Sequence, residues 1–308
     1  MKISVIGAVG SVGSPVAFYL AATGLAEEMV IVDIPQVANR LEQHAIDMST
    51  AVANQDVKVI AGDYPDIAGS DIIVNAAGMP QGLIKDRMEM LPKNIPLVRD
   101  IALKIKEFAP DAIIISATNP ADPLNYCTKV VGDFDRFKTL GYSLNDSTRF
   151  REFIAYTKGV KRSQVQAFVV GEHGSTQVPL FSTATIDGAP VSFTEEEKSS
   201  ILGEIPNILK RLEELQSGRT AGWTCATGIA QLVQAIKNDT GAVFPCSVVL
   251  DGEYGQSNVS MSVPVILGAK GAKEVKELKL EPEEQAKFEI SAAAMNNAAR
   301  IVDEELQK

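Results

Sequence analysis

The chain contains two histidines, and one of them, His173, stands in Val170-Gly171-Glu172-His173-Gly174 directly after an apolar run. A glycine-flanked imidazole at a strand end can face a cleft. It titrates near neutrality, so it can give a proton to a developing alkoxide in one direction and accept that proton in the other. The same position also suits a hydrogen-bonded structural histidine, which is how His44 reads within the helical pattern 40–48. An imidazole that must hold one tautomer wants a buried carboxylate, and an oxo-acid substrate wants a guanidinium fork for its carboxylate. Asp146-Ser147-Thr148-Arg149-Phe150-Arg151 offers both. At a helix start, however, Asp146 is equally an N-cap and Arg149 equally a surface residue.

A second cluster lies at the beginning. Gly7-Ala8-Val9-Gly10-Ser11-Val12-Gly13 follows an apolar run and opens a helical pattern, with Asp33 twenty residues beyond Gly13. Glycines let the backbone approach a pyrophosphate, whose charge meets the N–H groups of the helix start. An acid at the end of the next strand hydrogen-bonds the adenosine ribose. A dinucleotide is implied, although the spacing is Gly-x-x-Gly-x-x-Gly rather than the usual Gly-x-Gly-x-x-Gly. Because Asp33 would repel a 2′-phosphate, NAD is favoured over NADP.

These groups need elements to hold them. Residues 3–6, 30–32, 57–60, 72–74 and 112–115 are unbroken apolar runs rich in β-branched residues, as expected of parallel strands covered on both faces. Helix signals lie between them, including Ser14-Pro15 with proline at the first helical position and Gly24 just past the end. The alternation predicts a Rossmann-type, doubly wound α/β domain over residues 1–145. Residues 146–308 read differently. Strands are expected over 164–170 and 181–186, helices over 195–215, 224–237 and 282–306, and a hairpin of 242–250 with 259–267. No linker separates the halves, so their boundary is expected to be a packed cleft.

Composition narrows the partners. With 308 residues and 45% hydrophobic side chains the chain can build two packed lobes. A formal net charge of −10, with no basic run, argues against nucleic acid. No stretch approaches the roughly 20 apolar residues that span a bilayer. The opening residues Met1-Lys2-Ile3-Ser4-Val5-Ile6 read as a strand with no targeting pattern, so a cytoplasmic protein is expected. Cys127, Cys225 and Cys246 are widely spaced and suggest no metal site.

Taken together, the chain resembles the lactate/malate dehydrogenase family. The matching pieces run its length in order: the glycine loop, Asp33, Ala45-Ile46-Asp47, Ala77-Gly78, Arg87, Thr118-Asn119-Pro120-Ala121-Asp122, Asp146-Ser147-Thr148-Arg149 and Gly171-Glu172-His173-Gly174. The resemblance implies an NAD-binding domain followed by an α+β substrate domain, and a homodimer or homotetramer. It makes His173 the acid/base and Asp146 its orienting carboxylate. Arg149 becomes the clamp on the C1 carboxylate, and Arg87 the arginine of a closing loop that polarises the reacting carbonyl. It places Asn119 beside nicotinamide and substrate, the stretch Gly7, Gly10, Ser11, Val12, Gly13 with Asp33, Ala77 and Gly78 around the cofactor, and Thr220 on the wall of the side-chain pocket.

The resemblance leaves the substrate open. Gln81 stands where malate enzymes commonly have arginine and lactate enzymes glutamine, which points to pyruvate, since an unpaired second carboxylate under a closed loop is costly. Pro80, the glycine spacing and whole-chain likeness to archaeal-type malate enzymes point to malate, and Lys85 could supply the missing charge. Ile84 and Lys85 replace the loop's usual glycine and small or acidic residue, Asn145 replaces an apolar residue, and Ser175 replaces an acid. The remote alternative is a nucleotide-binding protein without turnover, which would be expected to have lost the polar constellation.

Overall fold

The computed structural model describes residues 1–80, 87–215 and 222–308. The first half alternates β1 (Lys2–Ile6), α1 (Gly13–Ala22), β2 (Glu28–Val32), α2 (Ala38–Ala51), β3 (Lys58–Gly62), β4 (Ile72–Asn75), α3 (Leu91–Phe108), β5 (Ile113–Ser116), α4 (Ala121–Gly132) and β6 (Thr139–Tyr142). The strands pair in parallel in the order β6-β5-β4-β1-β2-β3. Consecutive apolar residues serve two cores. Ile72 and Val74 pack with Met29, Ile31, Ile113 and Ile115 on one face, while Ile73 packs with Val30, Val32 and Ile114 on the other. This is why the runs are unbroken: helices cover both faces. Strand order reverses between β1 and β4, so the loops leaving those strands border the crevice where such sheets bind ligands.

The second half begins with α5 (Leu144–Lys158), then short strands β7 (Val165–Gln166), β8 (Val169–Val170), β9 (Val178–Pro179), β10 (Thr185–Ile186) and β11 (Ala189–Pro190), then α6 (Glu195–Glu214) and α7 (Gly222–Lys237). The hairpin of β12 (Val243–Asp251) and β13 (Ser257–Gly268) follows, with β14 (Gly271–Val275) and α8 (Pro282–Leu306). The hairpin forms where expected, but it does not stay apart from the first half. It adds β12, β13 and β14 to the parallel sheet, antiparallel and beside β6, through the pairs Cys246↔Tyr142 and Ser247↔Gly141.

Three local expectations are corrected. The strand expected over 181–186 is a 3₁₀ turn, Phe181–Thr183, followed by β10. There the Phe181 ring stacks edge-on between Phe150 and Phe193, and Glu284 of α8 accepts from the Ser182 N–H and hydroxyl, so tertiary contacts replace a ladder. The run 164–170 is divided, β7 pairing with β10 and β8 with β9. Pro15 is the third helical residue rather than the first, because α1 starts at Gly13, and Gly24 follows its end at φ +66°.

Candidate active site

The loop after β1 is fixed by its own backbone. Gly7 sits at φ +79°, and the N–H groups of Gly7 and Ala8 both reach the Val32 carbonyl, at 2.9 and 3.2 Å. A Cβ on Gly7 would stand 2.6 Å from the Ala77 nitrogen, and one on Gly13 would stand 2.1 Å from the Gly7 carbonyl oxygen. Both positions therefore demand glycine, and the loop stays tight enough to present backbone at the start of α1. Gly10, Ser11 and Val12 complete the curve, and the Ser11 carbonyl lies against the first residue of α7, Gly222. Asp33, at the end of β2, accepts from Val9 N–H at 2.7 Å and Ile34 N–H at 2.8 Å. Its carboxylate is thus held beside the glycine loop. A cradle closed to a Cβ at Gly7 and Gly13, next to an anchored acid, fits a dinucleotide without a 2′-phosphate.

The loops after β4 and β5 complete that side. The Thr118 hydroxyl donates to the Ala77 carbonyl at 2.6 Å, and Gly78 lies against the Thr118 methyl group. Asn94 of α3, fully buried, accepts from Met79 N–H at 2.9 Å and donates to the Asn119 carbonyl at 2.8 Å. Ala77, Gly78 and Asn119 are thereby brought to the same crevice edge as the glycine loop. Nothing in the sequence singled out Asn94.

The proton-transfer side is built from α5 and the loop after β8. Asp146 is not the N-cap of α5: Ser143 takes that place, and Asp146 lies in the first turn with its carboxylate turned inward. The His173 Nδ1 hydrogen-bonds Asp146 Oδ2, and Arg149, one turn along α5, places a guanidinium nitrogen 3.5 Å from Asp146 Oδ1. His173 and Asp146 are buried, and Arg149 is mostly so. With Nδ1 bonded to a carboxylate, an imidazolium formed by protonation at Nε2 has its counter-charge in place.

The backbone of His173 is held separately. Its N–H donates to Asp122 Oδ2 at 2.6 Å, and Ser247 of β12 donates its hydroxyl to Asp122 Oδ1 at 2.6 Å. Burial pushes the Asp122 carboxyl up from 3.8 to about 6, against the pull of those two hydrogen bonds and the His173 charge. Next to it, Glu172 N–H donates to the Ser291 hydroxyl of α8 at 2.7 Å, and the Glu172 carboxylate accepts from Thr176 N–H at 2.9 Å. Asp122 belongs to a motif noted in the sequence, but Ser247, 125 residues away, gave no signal. Arg87 opens the short turn Arg87–Met90 that leads into α3. Its side chain, with Gln81, Ile84, Lys85 and Thr220, lies outside the described residues. The thiols of Cys127 and Cys246 are pushed up to about 12 by burial, which leaves them unreactive.

Known proteins resemble this chain along its whole length. The lactate/malate dehydrogenase NAD-binding domain matches residues 1–141, and the α/β C-terminal domain of the same family matches residues 144–305. A malate dehydrogenase of Natronomonas pharaonis is 37% identical over 298 residues, covering 96% of this chain and 97% of that protein. One of Pyrobaculum aerophilum is 33% identical, covering 97% and 98%. Among solved structures, a lactate dehydrogenase of Cryptosporidium parvum complexed with lactic acid and nicotinamide adenine dinucleotide superposes with a TM-score of 0.92 at 31% identity, covering 98% of each chain. A malate dehydrogenase of Aeropyrum pernix gives 0.90 at 29%, covering 97% of each. A dinucleotide cradle, a buried histidine–aspartate pair and two family domains spanning the chain thus agree: the protein belongs to the lactate/malate dehydrogenase family and is an NAD-dependent hydroxyacid dehydrogenase.

Proposed function

We propose that the chain interconverts malate and oxaloacetate, and that the His173–Asp146 pair beside Arg149 carries the reaction. The nicotinamide, when bound, gives or takes the hydride at the substrate's C2 carbon. His173 donates the proton to the oxygen on that carbon in reduction and removes it in oxidation. Asp146 holds the ring's tautomer and favours its charged form. Arg149 binds the C1 carboxylate by a bidentate fork, and Asn119 hydrogen-bonds in the nicotinamide and substrate region. Arg87 polarises the carbonyl as its loop excludes water, which strengthens its interaction with the developing oxyanion. By the family resemblance, Gln81 and Thr220 are assigned to the substrate's distal group. Gly7, Gly10, Ser11, Val12 and Gly13 cradle the pyrophosphate, with Asp33 on the ribose and Ala77 and Gly78 along the cofactor.

Malate is supported by full-length likeness to malate dehydrogenases. Gln81 and the likeness to a lactate dehydrogenase structure support lactate as the second reading. The division at residues 145 and 146, a cytoplasmic location and a homodimer or homotetramer belong to the same proposal. Among the described residues no helix is long and apolar enough to cross a membrane. The test is kcat/KM for oxaloacetate against pyruvate with NADH. The malate reading expects oxaloacetate to lead by at least about tenfold, a difference of roughly 1.4 kcal/mol. A lead for pyruvate would establish the lactate reading.

A further inference from the structure

His173 is served by two carboxylates. Asp146 takes its ring, while Asp122, in the first turn of α4 and 1% exposed, takes its backbone N–H. Among the described residues no lysine or arginine pairs with Asp122. Among the described residues, the charged and titratable groups around this pair are Glu172 and His173 on the loop after β8, and Asp146 and Arg149 on α5. The hairpin contributes the hydroxyls of Ser247 and, behind it, Ser260, whose oxygens lie 2.9 Å apart.

The hydrogen bonds alone do not require a charge. An asparagine has the same shape: its Oδ1 would accept from His173 N–H and its Nδ2 would donate to Ser247 Oγ, whose own hydrogen turns to Ser260. Such a side chain would also avoid burying an ion without a cationic partner. A carboxylate stands there nonetheless, and the titratable group nearest to gain from it is the histidine whose backbone it holds. Both residues are buried, so its field at the imidazole is screened less than it would be in water. We propose that Asp122 is a positioning residue for His173 that works through its negative charge, anchoring the backbone of that residue and, with Asp146, favouring the protonated ring. The proposal rests on the role of His173 given above.

The test is Asp122→Asn in the full chain, read by the pH profile of kcat/KM for oxo-acid reduction and by NMR titration of the imidazole. With two histidines in the chain, the His173 signals can be assigned through His44→Gln. Removing the charge is expected to lower the His173 titration midpoint by about half a pH unit or more, about a threefold change in proton affinity, and to bring the alkaline fall in kcat/KM down with it. NADH affinity should stay within about twofold, because the hydrogen bonds survive. An unchanged midpoint overturns the proposal. So does failure of this isosteric variant to fold, which would make the charge structural. A wild type that reduces no 2-oxo acid would instead defeat the dehydrogenase reading, and the NMR midpoint would still decide the role of Asp122.

Discussion

Gly13→Ala tests the dinucleotide cradle at its tightest point. The added methyl carbon would lie 2.1 Å from the Gly7 carbonyl oxygen, 2.8 Å from the Gly7 carbonyl carbon and 3.0 Å from the Ala8 Cα. All three are backbone atoms, so no side chain can turn aside. Relief needs the loop and the start of α1 to separate by about 1 Å, judged against ordinary packing contacts. Gly7 has little freedom to yield: it is hydrogen-bonded to the Val32 carbonyl and already borders the Ala77 backbone. Overpacking of this kind typically costs about 1–3 kcal/mol. A loop opened by that distance also misplaces the N–H groups that meet the pyrophosphate, so NADH affinity should fall at least about tenfold, or roughly 1.4 kcal/mol. Thermal melting and NADH fluorescence titration measure the two effects. Gly10→Ala is the comparison, because a Cβ there meets only the Gly7 oxygen, at 3.2 Å, and should lower the melting temperature less. If Gly13→Ala melted and bound NADH as the wild type does, the cradle would be wrongly described.

Other perturbations probe the remaining parts. Asp146→Asn leaves His173 without its counter-charge, so kcat should fall by about 10²-fold or more while NADH binding persists; a kcat within about threefold of wild type would refute the pairing. NADH should be preferred over NADPH by at least about tenfold in kcat/KM, and Asp33→Ser should shrink that preference; equal use by the wild type would show that Asp33 does not read the ribose. Gln81→Arg should raise the oxaloacetate-to-pyruvate ratio by at least about tenfold unless Lys85 already serves the distal carboxylate, in which case Lys85→Ala should erase the wild-type preference. Asp122 also sets a pH dependence of stability. Its carboxyl binds a proton more tightly folded than unfolded, so its contribution is fully present below about 3.8 and is lost as pH rises through about 6. Urea unfolding should therefore find Asp122→Asn more stable than wild type at pH 8, by up to about 3 kcal/mol, with the difference vanishing towards pH 4; an advantage independent of pH would refute this.

Much of this site could be read from sequence because its parts are local. The glycine loop, Asp33 and the Asp146–Arg149 turn each combine residue types at short spacing with an adjoining strand or helix. The parallel strands were legible for a similar reason: side chains that alternate between two covered faces must all be apolar, as Ile72, Ile73 and Val74 show. The hairpin was legible as a hairpin, but alternation along a strand does not say which sheet it joins. Its place beside β6 depends on Ser247 packing over Gly141, where a Cβ would lie 2.6 Å from the serine's own. The support of His173 was hidden for the same reason. Asp122 and Ser247 are ordinary residues until folding brings together positions 125 apart, and Asn94 ties together two loops that no sequence pattern links. Phe181 read as strand because it is apolar, and its partners Phe150 and Phe193 come from distant segments.

The central claim is that His173 moves the proton while the dinucleotide is bound independently of it, and His173→Asn with NADH and oxaloacetate tests it most directly. Proton transfer by a positioned side chain contributes about 10²–10⁴-fold, so kcat should fall by at least that much while the NADH dissociation constant stays within about twofold. A variant that kept turnover within about threefold of wild type would contradict the account.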